Sequence, residues 1–243
     1  WCWKAGGTPS SNTDGSITSQ VSVSTDYGFS ICTYTGNGSG TANSDSGDSF
    51  GHGLSSAPKF ILVKRRNSAN GWPVYHASTA LGALSLNGTN ALDTGSYLFA
   101  QQHPSSSVVY LGNNPEINAT GSTYVAYCWS EVSGFSKFGS YSGTGSAVTV
   151  TTGFKPQYIL VKSTSSGRDW LVWDAARGPS GGALQPNTSN TAYSDSTYNG
   201  ISFNSDGFTI MTGDSTPNMS ASGETYVYAA FADRPGNNWD VNN

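Results

Sequence analysis

Two stretches of this chain spell out the same series of short motifs in the same order. Gly28-Phe29-Ser30, Tyr34-Thr35-Gly36-Asn37-Gly38-Ser39, Pro58-Lys59-Phe60-Ile61-Leu62-Val63-Lys64, Trp72 with Val74-Tyr75, and Thr123-Tyr124-Val125 form the first series. Gly134-Phe135-Ser136, Tyr141-Ser142-Gly143-Thr144-Gly145-Ser146, Pro156-Gln157-Tyr158-Ile159-Leu160-Val161-Lys162, Trp170 with Val172-Trp173, and Thr225-Tyr226-Val227 form the second. A period of about 100 residues is too long for a solenoid unit and fits a small domain. The spacing therefore predicts two related repeats, 28–132 and 133–235. Residues 1–27 are read as the end of a preceding repeat plus a linker strand, and 236–243 as a tail. Trp1-Cys2-Trp3-Lys4 resembles Tyr127-Cys128-Trp129-Ser130, so the chain is expected to be a section of a longer row.

The predicted elements are almost all strands. Phe60–Lys64 and Ile159–Lys162 are short apolar, β-branched runs of the kind buried in a sheet. Trp72–Tyr75 and Trp170–Trp173 follow polar turns and pair with those runs as hairpins. Tyr97–Phe99, Val108–Leu111 and Tyr124–Trp129 complete the first set; Ile201–Phe203, Phe208–Met211 and Tyr226–Phe231 complete the second. Asn204-Ser205-Asp206-Gly207 is a tight turn. Ser16–Val23 alternates apolar and polar residues, as a half-exposed strand does. Short strands with Gly/Asn/Ser turns and no long amphipathic helix predict an all-β fold of two tandem antiparallel β-sandwiches, jelly-roll or concanavalin-like. The linker Ser130–Ser133 is short, which places the repeats close together.

Charge is sparse, with 11 Lys and Arg against 15 Asp and Glu. This gives no clustered basic face for nucleic acid, and no apolar run is long enough to span a membrane as a helix. Cys2 and Cys128 read as small buried fillers, and no zinc-type Cys/His spacing occurs. No cofactor and no metal site is expected.

Chemistry-bearing residues fall mostly in structural contexts. His52, His76 and His103 are not kept between the repeats and read as surface or turn residues. No Gly-x-Ser-x-Gly elbow is present. The acidic residues lie in turn-forming contexts, and none stands out as an acid/base pair. Asp174 and Arg177 read as a local clamp on the loop that follows. Lys64-Arg65-Arg66 reads as a solvated strand end. Trp72, Trp170 and Trp173 have aromatic counterparts across the repeats and read as structural. The loop aromatics Tyr97, Tyr193 and Tyr198, with Asp45 and Asp48, are the candidates for ligand binding. The loop carrying Asp45 and Asp48 lacks the Asp-x-Asp-x-Asp-Gly pattern of a calcium loop.

Gly153-Phe154-Lys155-Pro156, Ile159–Lys162, Trp173-Asp174-Ala175-Ala176-Arg177-Gly178, Asn187-Thr188, Ser202–Thr209 and Tyr226-Val227 together resemble a module of tailed-phage structural proteins. So does Trp1–Gly7. Such modules occur in tandem in large virion proteins of marine phages and cyanophages, beside concanavalin-like lectin domains. The resemblance implies a sandwich fold and a virion setting, in a tail fibre or another host-facing appendage. It implies no catalytic residue. The expected partners are other virion proteins, host-surface glycan and further copies of the chain, with a trimer as the symmetry of fibres. A capsid-decoration or fibre-shaft module with purely structural self-association and a polysaccharide depolymerase are the alternatives.

Overall fold

The computed structural model describes residues 2–39, 44–95, 97–178, 182–193, 200–211 and 219–233. The first half holds β1 (Ser10–Asn12), β2 (Ser19–Ser24), β3 (Phe29–Thr35), β4 (Asp45–Gly51), β5 (Phe60–Arg65), β6 (Pro73–His76), β7 (Leu84–Ser85), β8 (Val108–Gly112) and β9 (Thr123–Trp129). The second holds β10 (Ser136–Ser142), β11 (Val148–Thr151), β12 (Tyr158–Ser163), β13 (Leu171–Asp174), β14 (Ile201–Asn204), β15 (Gly207–Ile210) and β16 (Thr225–Phe231). Single helical turns at Thr25–Tyr27 and Pro115–Asn118 are the described helices. The fold is all-β and antiparallel, as the strand spacing predicts.

The central sheet of the first half runs β1-β2-β3-β9-β5-β6-β7, and that of the second runs β10-β16-β12-β13. Strands β3-β9-β5-β6 and β10-β16-β12-β13 thus follow one order. Their registers agree too: Tyr34 lies opposite Tyr124 as Tyr141 lies opposite Tyr226. Ile61 faces Cys128 as Ile159 faces Ala230. Small outer sheets, β4-β8 and β11-β15-β14, cover one face of each central sheet.

Period-2 alternation decides what lies between the sheets. On β3, Tyr34 stacks on Phe50 of β4, while Phe29 points the other way and packs on Trp129. On β10, Tyr141 meets Phe208 of β15, while Phe138 stacks on Phe60 of β5 at 6.0 Å. The two central sheets therefore lie face to face, and the layers run β4-β8, first central sheet, second central sheet, β11-β15-β14. One buried cluster joins Phe29, Phe60 and Trp129 of the first half to Phe138, Leu160 and Phe231 of the second. A second cluster fills the space under β4-β8. The short linker places the halves close together, and the structure merges their apolar faces into one core.

Four local expectations differ from the structure. Tyr97–Phe99 is a turn and not a strand: Ala100 and Gln101 take positive φ, which no strand accommodates. Leu98 and Phe99 are buried all the same. Cys2–Gly6 is not a strand: it forms no ladder with a neighbouring strand, although Gly6 lies against Val23 of β2. Trp3 instead caps the junction, 5.4 Å from the Trp129 ring and 5.1 Å from Phe231. Cys2 is exposed, whereas Cys128 is buried as expected. The predicted Ser16–Val23 strand starts later, at Ser19, with Ile17 bridging Phe50.

Candidate functional site

The apolar run of β12 ends in Lys162, on the face that meets the first half. Its side chain is wholly buried. The Nζ donates to the Thr89 carbonyl at 3.0 Å and to the Ser163 carbonyl at 2.9 Å. Burial pulls this amine down to about 8, with Asp169 and Glu224 acting in the opposite direction. The matching Lys64 is only half-buried: it donates to the Asn70 carbonyl and lies 5.5 Å from the centre of the Trp72 ring.

Around Lys162 the loop before β13 and the start of β16 build a polar network. Arg168 grips Glu224 with two bonds, Nε to Oε2 at 2.8 Å and Nη2 to Oε1 at 2.7 Å. Ser163 and Tyr226 donate to the same carboxylate at 3.0 and 2.8 Å. The Arg168 bonds, against the effect of burial, hold the Glu224 carboxyl down at about 2. Asp169 accepts from Asn187 and Gln185, each at 2.7 Å. Three further bonds cross between the halves here. The Trp170 indole donates to the Ser85 carbonyl at 2.8 Å, Leu92 N–H to the Thr164 carbonyl at 3.0 Å, and His76 Nε2 to the Tyr228 carbonyl at 3.0 Å.

The histidines correct the surface reading: His52 and His76 are buried. Each accepts a backbone N–H on Nδ1, from Leu54 and Ser78, so Nε2 carries the proton and donates to a carbonyl. Burial lowers His52 and takes His76 down to about 4. His103 Nδ1 lies 2.7 Å from the Tyr75 hydroxyl.

The clamp forms as expected: Arg177 N–H and Nε reach the Asp174 carboxylate at 3.0 and 2.5 Å. Burial works against the Asp174 anion, and the Arg177 bonds outweigh it, so this carboxyl titrates below its usual value. In the first half His76 Nδ1 accepts the N–H of Ser78, two residues on, where Asp174 accepts that of Arg177, three residues on. Trp170 and Trp173 are buried, while Trp72 is only half-buried under Lys64.

The ligand candidates do not converge. Tyr97 is half-buried beside Gly112. Tyr193 is half-buried against Gln185 in the other half, and Tyr198 lies outside the described residues. Asp45 is exposed and accepts from Gln102. Asp48 is buried and accepts from Asn37 at 2.8 Å and Asn118 at 3.0 Å. Burial opposes its charge, and these amide bonds together bring its carboxyl below the usual value. Among the described residues no three His, Cys, Asp or Glu side chains converge as a metal ion requires. No described helix is long and apolar enough to cross a membrane.

Sequence reasoning missed the Lys162 network and Asn87 and Asn187, which accept the N–H of Trp72 and Trp170 at 2.7 and 3.0 Å. A lysine closing an apolar run, and an asparagine that follows each tryptophan after 15 and 17 residues, are the signals that carry them.

These features define an all-β protein with stacked antiparallel sheets, tied across their junction by a buried polar network. The chain belongs to the family described as a domain of unknown function, DUF7483, whose profile matches residues 1–235. No curated protein and no solved structure matches it.

Proposed function

We propose that the chain is a non-catalytic structural module of a tailed-phage virion, set in a tail fibre or similar appendage, whose end loops contact host-surface glycan. The motif resemblance supplies the setting. The observation that carries the non-catalytic reading is the use made of the reactive groups. His52, His76, Lys162, Asp48 and Glu224 are each held by internal hydrogen bonds. Such groups hold a fold together and leave little free to attack a substrate. We read the shared strand order and register as a duplication of one sandwich into repeats 28–132 and 133–235. What differs between the repeats is their loops, where Tyr97 and Tyr193 sit, and recognition belongs there.

A glycan array or a host-cell pulldown tests this reading. Binding at micromolar protein that Tyr97→Ala or Tyr193→Ala weakens is expected; no binding to any glycan or cell surface counts against glycan contact. A purely structural shaft or decoration module is the second reading, favoured by the outer edge of β10, which has no strand beside it among the described residues. Reducing sugar released from host polysaccharide would sink the non-catalytic reading. A depolymerase would need two carboxyls about 5–10 Å apart in one groove.

A further inference from the structure

The two central sheets differ at one edge. In the first half the outer side of β3 is covered by β2 and then β1. In the second half β10 holds the place of β3 and is the last strand of its sheet. The chain before β3 forms the hairpin that covers it. The chain before β10, Ser130–Phe135, is used up in crossing from β9, so it has no length left for a covering strand.

The direction of the backbone groups follows from the register. Phe135 accepts from Ala232 N–H, and Gly143 N–H donates to the Glu224 carbonyl. Odd-numbered residues of β10 therefore turn their peptide groups towards β16, and even-numbered ones turn theirs outward. Ser136 N–H is taken by the Val132 carbonyl. The outward N–H and C=O groups of Phe138, Ser140 and Ser142 have no partner among the described residues. Ser140 and Ser142 are exposed, and the only charge on the strand, Lys137, is paired with Glu131 at 2.8 Å. An edge with free outward backbone groups, whose one charge is already paired, is a template for another strand.

We propose that β10 pairs antiparallel with β10 of a second copy of this chain, about a two-fold axis at Ser140. Residue 140 then lies opposite residue 140 of the partner, and 138 opposite 142, so all three outward residues pair. Lys137 falls opposite Gly143 and meets no like charge. An antiparallel two-fold contact is self-complementary and closes at two copies. The inference does not depend on the virion reading or on any ligand.

Sedimentation of the intact chain tests it. A reversible dimer with a dissociation constant on the order of 100 μM is expected for so small a contact. Ser140→Pro removes an outward N–H that no bond among the described residues uses, at a strand edge where proline is tolerated. It is expected to weaken the dimer at least tenfold, roughly, with the melting temperature unchanged. Ser140→Lys and Ser140→Glu place like charges across the axis. Each alone is expected to be monomeric, and an equimolar mixture to give a heterodimer. This pair decides the matter should the proline variant fail to fold. A chain that stays monomeric up to about 1 mM, a dimer or trimer that Ser140→Pro leaves intact, or charge variants that fail to pair on mixing would overturn the proposal.

Discussion

At the scale of single residues, buried ionisable groups set the response to pH. An unfolded histidine titrates near 6.5, whereas His76 in the fold titrates at about 4. Between these values the unfolded chain holds a proton that the folded chain does not, so stability falls as pH drops through that window. The loss reaches roughly 3 kcal/mol for His76 alone, and His52 adds to it in the same direction. Melting followed from pH 7 to pH 4 is expected to show this fall, with a shallower slope in His76→Leu. That variant starts lower by roughly 1–3 kcal/mol, since it leaves Ser78 N–H and the Tyr228 carbonyl unpaired. Glu224 acts over a more acid range. Its carboxyl is held at about 2 against an ordinary 4.5, so its contribution is present above 4.5 and lost as pH falls towards 2. Glu224→Gln leaves Arg168 and the buried Lys162 short of their counter-charge. A cost of roughly 3 kcal/mol in denaturant unfolding is expected.

At the scale of elements, equal sequence positions do unequal work. Trp170 is buried and bonded across the junction to Ser85, while Trp72 is half-buried beneath Lys64. Trp170→Phe is expected to cost roughly 2–4 kcal/mol through a lost bond and a cavity, and Trp72→Phe under about 1 kcal/mol. Equal losses would contradict this assignment. Gly112 ends β8 where a Cβ would stand 1.4 Å from the Tyr97 carbonyl oxygen. Gly112→Ala is therefore expected to cost about 3 kcal/mol or more. Gly121 has open space and strains only through its φ of 71°, so Gly121→Ala is expected to cost about 1 kcal/mol. The strands were legible because apolar runs such as Phe60–Lys64 carry their own period. The turn at Tyr97–Phe99 was not: three apolar residues look like a strand until the left-handed backbone of Ala100 and Gln101 is seen. His76 was misread for a related reason. Its burial comes from the second central sheet, far away in sequence, and Lys162 of that sheet is covered in turn by the first half, where its amine meets the Thr89 carbonyl.

At the scale of the whole molecule, the merged core makes the halves depend on each other. The face of β5 that carries Phe60 is covered by β10, and the face of β10 that carries Phe138 is covered by β5. Calorimetry of the intact chain is expected to show one cooperative transition. Residues 133–235 expressed alone would expose Phe138, Leu160 and Phe231 to water and are expected to aggregate or bind a hydrophobic dye. Two separate transitions, or a stable monomeric half, would show that the shared cluster is not the main source of stability. The face-to-face stacking also bears on inheritance. A recombination breakpoint placed between Ser130 and Phe135 would strip an apolar face from both products at once. Genomes that trade segments of such a protein can keep both pieces folded only by passing on the stacked pair as a single cassette.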